Sequence, residues 1–128
     1  MQNTALDSMK LVIIESPYAG DVKRNVQYAR RAMADSLKRG EAPYASHLLF
    51  TQVLNDLEPA QRVRGIEAGL AWGTKADLTA VYADYGISRG MEQGIDYATA
   101  QGRKIEHRYI GKNKRGFDFL KPPLFRHF

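Results

Sequence analysis

Apolar and polar positions fall in blocks along this chain, and the period within each block predicts its element. Lys10-Leu11-Val12-Ile13-Ile14-Glu15-Ser16 is a short β-branched apolar run, as in a parallel strand covered on both faces. Pro17 stops it and Gly20 follows in a loop. Asp21 is placed to cap a helix in which Val22, Val26, Ala29, Met33 and Leu37 recur at helical spacing, with Gly40 closing it. Ala42 to Phe50 predicts a second strand, with Pro43 near its start and Ser46-His47 near its working end. Thr51 to Leu57 predicts either a loop or a helical turn.

Glu58-Pro59 opens a second long helix with Val63, Ile66, Leu70 and Trp72 as its apolar stripe. Leu78 to Tyr82 predicts a third strand and Asp84-Tyr85-Gly86 a turn. Ser88 caps a helix carrying Met91, Ile95 and Ala98, closed by Gly102, and Lys104 to Ile110 predicts the last strand. Strands alternating with helices imply an α/β fold, a parallel sheet between helical layers. There is no internal repeat.

A length of 128 residues suits one domain with one core. The absence of cysteine excludes disulfides, thiolate metal sites and a cysteine nucleophile, and fits a cytoplasmic protein. The three histidines, at 47, 107 and 127, show no metal-ligand spacing, so neither a metal nor another cofactor is expected. Met1 to Asp7 lacks the pattern of a signal peptide, and no apolar run approaches the roughly 18 residues of a membrane helix, so no membrane partner is expected.

The net charge of +5 is unevenly placed. Residues 103–128 carry eight Lys/Arg against Glu106 and Asp118, whereas residues 1–102 are close to neutral. A nucleic-acid partner would therefore meet the tail, 111–128, rather than the domain at 1–110. Phe117, Phe119, Leu120 and Phe125 in that tail predict instead that it packs on a neighbouring subunit, giving a homo-oligomer. A frayed terminus is the plainer alternative.

In open parallel sheets ligands bind beyond the carboxyl ends of the strands. That rule selects Ser16 to Gly20, Ser46-His47, and Asp84 to Gly90. Two of these loops lead into helices, whose free N–H groups favour an anion such as phosphate. Ser16, Gly20 and Ser88 are candidates for holding it, with Tyr18, His47, Asp84, Gly86 and Arg89 around the ligand; each also fits a plain role as a turn, cap or structural residue. Glu92, four residues past Ser88, is the candidate catalytic carboxylate, although the helix dipole alone also favours an acid there. Asp77 or Asp84 is the possible second carboxylate, and Asp77 equally fits a helix–strand junction. A P-loop and a G-x-G-x-x-G fingerprint are both missing, which weighs against ATPase and dinucleotide oxidoreductase readings.

These loops together resemble the nucleoside 2-deoxyribosyltransferase-like superfamily, which includes the 2′-deoxynucleoside 5′-phosphate N-hydrolases and small phage and bacterial proteins. The resemblance runs over residues 10–110 and is carried by Ser16-Pro17-Tyr18-Ala19-Gly20, Ser46-His47, Ala76-Asp77-Leu78-Thr79-Ala80-Val81-Tyr82 and Gly86-Ile87-Ser88-Arg89-Gly90-Met91-Glu92-Gln93-Gly94-Ile95. It implies a three-layer flavodoxin-like Rossmannoid fold of four to five strands, assembly as a dimer or larger, and cleavage of an N-glycosidic bond through a glutamate nucleophile. By position that nucleophile is Glu92 and the assisting aspartate Asp77, with Ser16 to Gly20 and Ser88 holding sugar or 5′-phosphate and His47 facing the ligand. The chain departs from the transferases at Gly86, where they often have an aspartate, and from the hydrolases at Tyr18 and Ala19. The function expected is cleavage or transfer at the N-glycosidic bond of a nucleoside or nucleoside 5′-monophosphate. The alternatives are a nucleotide-binding module without turnover, and a phage structural or nucleic-acid-associated protein acting through its tail.

Overall fold

Residues 4–111 are described by a computed structural model. After a short helix α1 (Thr4–Ser8), four parallel strands, β1 (Leu11–Glu15), β2 (Ala42–Tyr44), β3 (Leu78–Tyr82) and β4 (Lys104–Arg108), form one sheet in the order β2-β1-β3-β4. Parallel pairing requires a crossover between neighbours, and helices α2 (Val22–Lys38), α4 (Pro59–Gly73) and α5 (Arg89–Ala100) supply them. The described residues thus form an α/β domain with four strands.

Side-chain alternation along β1 separates the layers. Val12 and Ile14 point to one face and share a core with Tyr28 and Ala32 of α2, together with Ala80 and Tyr82 of β3. Ile13 and Glu15 point to the other face, where Ile13 meets Gly73 of α4 and Glu15 meets Gly94 of α5. A second cluster of Val81, Ala83 and Met91, with Ile95 and Ile105, packs α5 onto β3 and β4. No helix among the described residues is long and apolar enough to cross a membrane.

The local signals work as the residue types require. Asp21 caps α2 by accepting from the Arg24 N–H at 3.1 Å, and Gly40 closes that helix at φ +80°. Ser88 caps α5, its Oγ accepting from the Met91 N–H at 3.3 Å.

Four predicted features differ. The second strand stops at Tyr44 rather than Phe50, and Ser46–Leu49 form the short helix α3, followed by a 3-10 turn at Phe50–Gln52. The pairing of β2 with β1 ends at Tyr44 opposite Ile13, and Ala45 directly after it caps the turn into α3. The buried face of α2 is Asn25, Tyr28, Ala29, Ala32 and Ser36, so Val22 and Leu37 of the predicted stripe face solvent. On α4, Val63, Ile66 and Trp72 are likewise exposed, and the last strand ends at Arg108 rather than Ile110. The tail from residue 112, on which the oligomer and nucleic-acid expectations depend, lies outside the described residues.

Candidate functional site

The carboxyl ends of β1 and β2 and the start of α5 open into a cavity of about 420 Å³, in the range of small-molecule sites. Its walls are the end of β1, α3 with the 3-10 turn, one face of α4, and the first turns of α5. Space exists because α4 turns glycines toward it: Gly65, Gly69 and Gly73, spaced four apart, all line the cavity. A Cβ at Gly69 would sit 2.8 Å from the Ser46 side chain, so only glycine lets α4 approach α3 this closely.

Glu15 forms the floor. It ends an apolar strand, enclosed by helices on the side it faces, and a Cβ at Gly94 would overlap its carboxyl group. Burial pushes its pKa up to about 8, against the partial pull of the nearby Arg103 charge, so at neutral pH the carboxyl holds its proton. Arg103 also lines the cavity, anchored by Nε donating to Thr79 Oγ1 at 2.9 Å and Nη1 donating to the Gly73 carbonyl at 2.6 Å.

Beside the floor, the buried Ser16 and the half-buried His47 share a hydrogen bond of 2.6 Å between Oγ and Nε2. Burial lowers the His47 pKa to about 4, so the ring is neutral at physiological pH, with one nitrogen able to accept and the other to donate. The early turn into α3 is what aims His47 at the cavity. Across from it, Tyr44 packs edge-on against Phe50, their ring centres 6.4 Å apart, and both line the wall.

The first loop is held from outside the cavity. Asn25 Nδ2 donates to the carbonyls of Tyr18 and Ala19, each at 3.0 Å, which leaves Tyr18 and Ala19 on the lining. Gly20 takes φ +95° in the turn that follows and does not line the cavity. Ser88 and Arg89 do line it, at the start of α5, where free backbone N–H groups favour an anion.

The remaining predicted residues lie elsewhere. Glu92 is exposed on α5, its neighbours Met91 and Gln93 lining the cavity while it does not. Asp77 sits at the opposite, amino end of the sheet, accepting the Leu11 N–H at 2.8 Å, which makes it the helix–strand junction. Asp84 is occupied by structure: it accepts from the Tyr28 hydroxyl and from the N–H groups of Ile110 and Gly111 at 3.0 and 2.8 Å, tying down the chain after β4. Gly86 serves the turn after β3 at φ +86° and is not on the lining. The structure therefore brings Ser16, Tyr18, His47, Ser88 and Arg89 together and leaves Glu92, Asp77, Asp84, Gly20 and Gly86 outside. It adds Glu15 and Arg103, which the sequence reading missed. One signal was available for Glu15: a lone acid inside an otherwise apolar strand of a parallel sheet must be buried, because both faces of such a sheet are covered.

Among the described residues no three His, Asp or Glu side chains cluster as metal ligands.

Fold and cavity define a class: a parallel α/β domain with a cavity at the carboxyl ends of its strands. The chain belongs to the family described as a domain of unknown function (DUF7768), which matches residues 10–108. No curated protein matches it. Among solved structures it is similar to the CMP N-glycosidase BcmB of Clostridium botulinum, with 20% identity, a TM-score of 0.45, and coverage of 88% of this chain and 96% of that one.

Proposed function

We propose that the cavity binds a nucleoside or nucleoside 5′-monophosphate and that the protein hydrolyses its N-glycosidic bond, with Glu15 as the proton donor. The observation that carries this reading is a carboxyl group at the end of β1 that lines the cavity and whose pKa burial pushes up to about 8. A glycosidic nitrogen leaves well only when the departing base is protonated, and an acid with a pKa near working pH is suited to that task. Ser88, Arg89 and the first N–H groups of α5 take the 5′-phosphate, the Tyr44–Phe50 wall takes the flat base, and neutral His47 orients the Ser16 hydroxyl toward the sugar.

The nucleophile is water in this reading, and Glu92, outside the lining, has no part in the chemistry. A panel of nucleosides and 5′-monophosphates incubated with the protein should therefore yield free base by chromatography. Glu92→Gln should release it at the wild-type rate. Total loss of release in a folded Glu92→Gln protein would return the chemistry to Glu92 and refute this assignment. In calorimetry the 5′-monophosphate should bind more tightly than its nucleoside.

One observation favours a second reading, ligand retention without turnover. The cavity's other carboxylate, Asp56, lies 3.8 Å from Arg62, which leaves Glu15 with no second acid to work with. Saturable nucleotide binding with no base released would support that reading.

A further inference from the structure

We infer that Arg103 is the positioning residue for Glu15: it is fixed beneath the cavity floor with one guanidinium nitrogen unspent, and that nitrogen stabilises the carboxylate formed when Glu15 gives up its proton. This deepens the proposed function and rests on Glu15 acting as its proton donor.

The geometry begins with how firmly Arg103 is held. It precedes β4, and its backbone N–H bonds the Ala98 carbonyl at the end of α5 at 2.9 Å. Nε donates to Thr79 Oγ1 at 2.9 Å, and Nη1 donates to both the Gly73 carbonyl at 2.6 Å and Gln101 Oε1 at 2.8 Å. Three of the five guanidinium donors are thereby committed to β3, α4 and the turn after α5. Nη2 keeps its two, with no partner among the described residues.

Register places that nitrogen. Thr79 pairs with Ile13 across β1 and β3, and Glu15 lies two residues further along β1 on the same face. A Cβ at Gly73 would be 3.5 Å from Arg103 Nη2 and 3.7 Å from Ile13 Cγ1, so Nη2 and the Ile13 side chain flank one spot on the sheet. Glu15 is the next side chain toward the cavity, confined from above by Gly94. A fixed cation with unspent donors, one residue step from an enclosed acid, suits a carboxylate that forms only during turnover. The Arg103 charge already opposes the upward push of burial on Glu15. The other titratable groups around the cavity are Arg89 on α5, neutral His47 on α3, Tyr18 and Tyr44, and the Asp56–Arg62 pair ahead of and within α4. Arg103 is the charge that acts on Glu15 most strongly among these.

The step balances as hydrolysis. The Glu15 proton passes to a ring nitrogen of the base as the C1′–N bond breaks and its electron pair leaves with the base. A water oxygen bonds to C1′, and the proton that water sheds returns to the Glu15 carboxylate. Arg103 is needed between those two transfers, while Glu15 is charged.

The deciding measurement is the titration of the Glu15 carboxyl by NMR in protein carrying ¹³C-labelled glutamate, for wild type, Arg103→Gln, Arg103→Lys and Thr79→Val. Removing the positive charge should raise the Glu15 midpoint by about one unit in Arg103→Gln. Arg103→Lys, which keeps the charge, should restore most of the difference, and Thr79→Val, which frees the guanidinium by one hydrogen bond, should move it partway. In base release, Arg103→Gln should lower kcat about tenfold or more with KM little changed, and shift the alkaline limb of the pH profile upward. A structural role alone would lower activity without moving that limb. An unmoved or lowered midpoint in folded Arg103→Gln overturns the inference. Should that variant fail to fold, an unmoved midpoint in Thr79→Val does so. The titration needs no turnover, so wild type without base release would end the proposed function while the midpoints still decide on Arg103.

Discussion

Glu15→Gln is expected to abolish base release and, at the same time, to make the protein more stable above neutral pH. Loss of a positioned general acid costs about 10²–10⁴-fold in rate, and glutamine has no proton to give. The stability effect has a definite sign. The folded pKa of Glu15 is raised to about 8 from an ordinary value of 4.5, so the native state holds the proton more tightly than the unfolded chain. The stability this contributes is complete below about pH 4.5 and is lost as pH rises through 8.

His47 acts in the opposite direction. Its folded pKa, lowered to about 4 from 6.5, contributes stability present above 6.5 and lost as pH falls through 4. Between about 4.5 and 6.5 the two slopes oppose each other and the wild-type curve is flat. From 6.5 to 8 Glu15 acts alone, at about 1.4 kcal/mol per unit, a fall of roughly 2 kcal/mol. In Glu15→Gln that fall disappears, and stability climbs from pH 4.5 to 6.5 before levelling. Denaturant titrations from pH 4 to 9 measure both curves. A wild type whose stability is constant from 6.5 to 8 would show that Glu15 is ionised at neutral pH and cannot be the acid.

Gain of stability on removing a carboxyl is itself a functional signature, since a buried acid with no counter-ion in contact is retained against its cost to the fold. It also shows why the site was only half legible in the sequence. Of the loops selected by strand-end topology, Ser16, Tyr18, His47, Ser88 and Arg89 line the cavity, because that rule depends only on where strands stop. Glu92 was favoured for its place one turn into α5, yet whether a residue there faces the cavity or solvent depends on the roll of the helix. That roll is set by Met91, Gly94 and Ala98 packing on the sheet. For Glu15 the lone acid in an apolar strand is the only local signal, and nothing near it announces that Gly94, far along the chain, leaves room for its carboxyl. The strand and helix boundaries of β1, β3, α2 and α5 were readable from period and caps. The end of β2 was not, since no residue near it marks where its pairing with β1 stops, at Tyr44 opposite Ile13.

Charge counting misplaced two residues for a related reason. Arg103 and Arg108 were tallied with the basic tail, but the fold uses both internally. Arg108 is 3% exposed at the end of β4, and its guanidinium grips Glu41 with two bonds, Nη1 to Oε1 at 2.8 Å and Nη2 to Oε2 at 2.7 Å. Nε donates to Glu106 at 2.7 Å and Nη1 to the Tyr82 hydroxyl at 3.0 Å. Tyr82 in turn donates to Asp35 at 2.7 Å, and Ser36 donates to Glu41 at 2.8 Å. One guanidinium thus ties β4 and β3 to the last turns of α2 and to the residue before β2.

Arg108→Ala is accordingly expected to be the most destabilising single change outside the apolar core, at about 3–5 kcal/mol, because it leaves the Glu41 carboxylate enclosed without its partner. The Arg108 bond is the main cause that lowers the Glu41 pKa, so the variant should lose stability chiefly above pH 4.5, where Glu41 is charged, and recover part of it in acid. Arg108→Lys keeps the charge but not the two-pronged grip, and should fall between wild type and alanine. The double variant Arg108→Met/Glu41→Met separates two explanations. If the cost lies in the stranded carboxylate, removing both charges should restore most of the loss, since apolar side chains of similar length can fill the same space. If the double variant is as unstable as Arg108→Ala, the net attraction of the pair is itself holding β4 against α2. Urea denaturation of the four proteins at pH 4 and 7 gives both the ranking and the pH dependence on which this distinction turns.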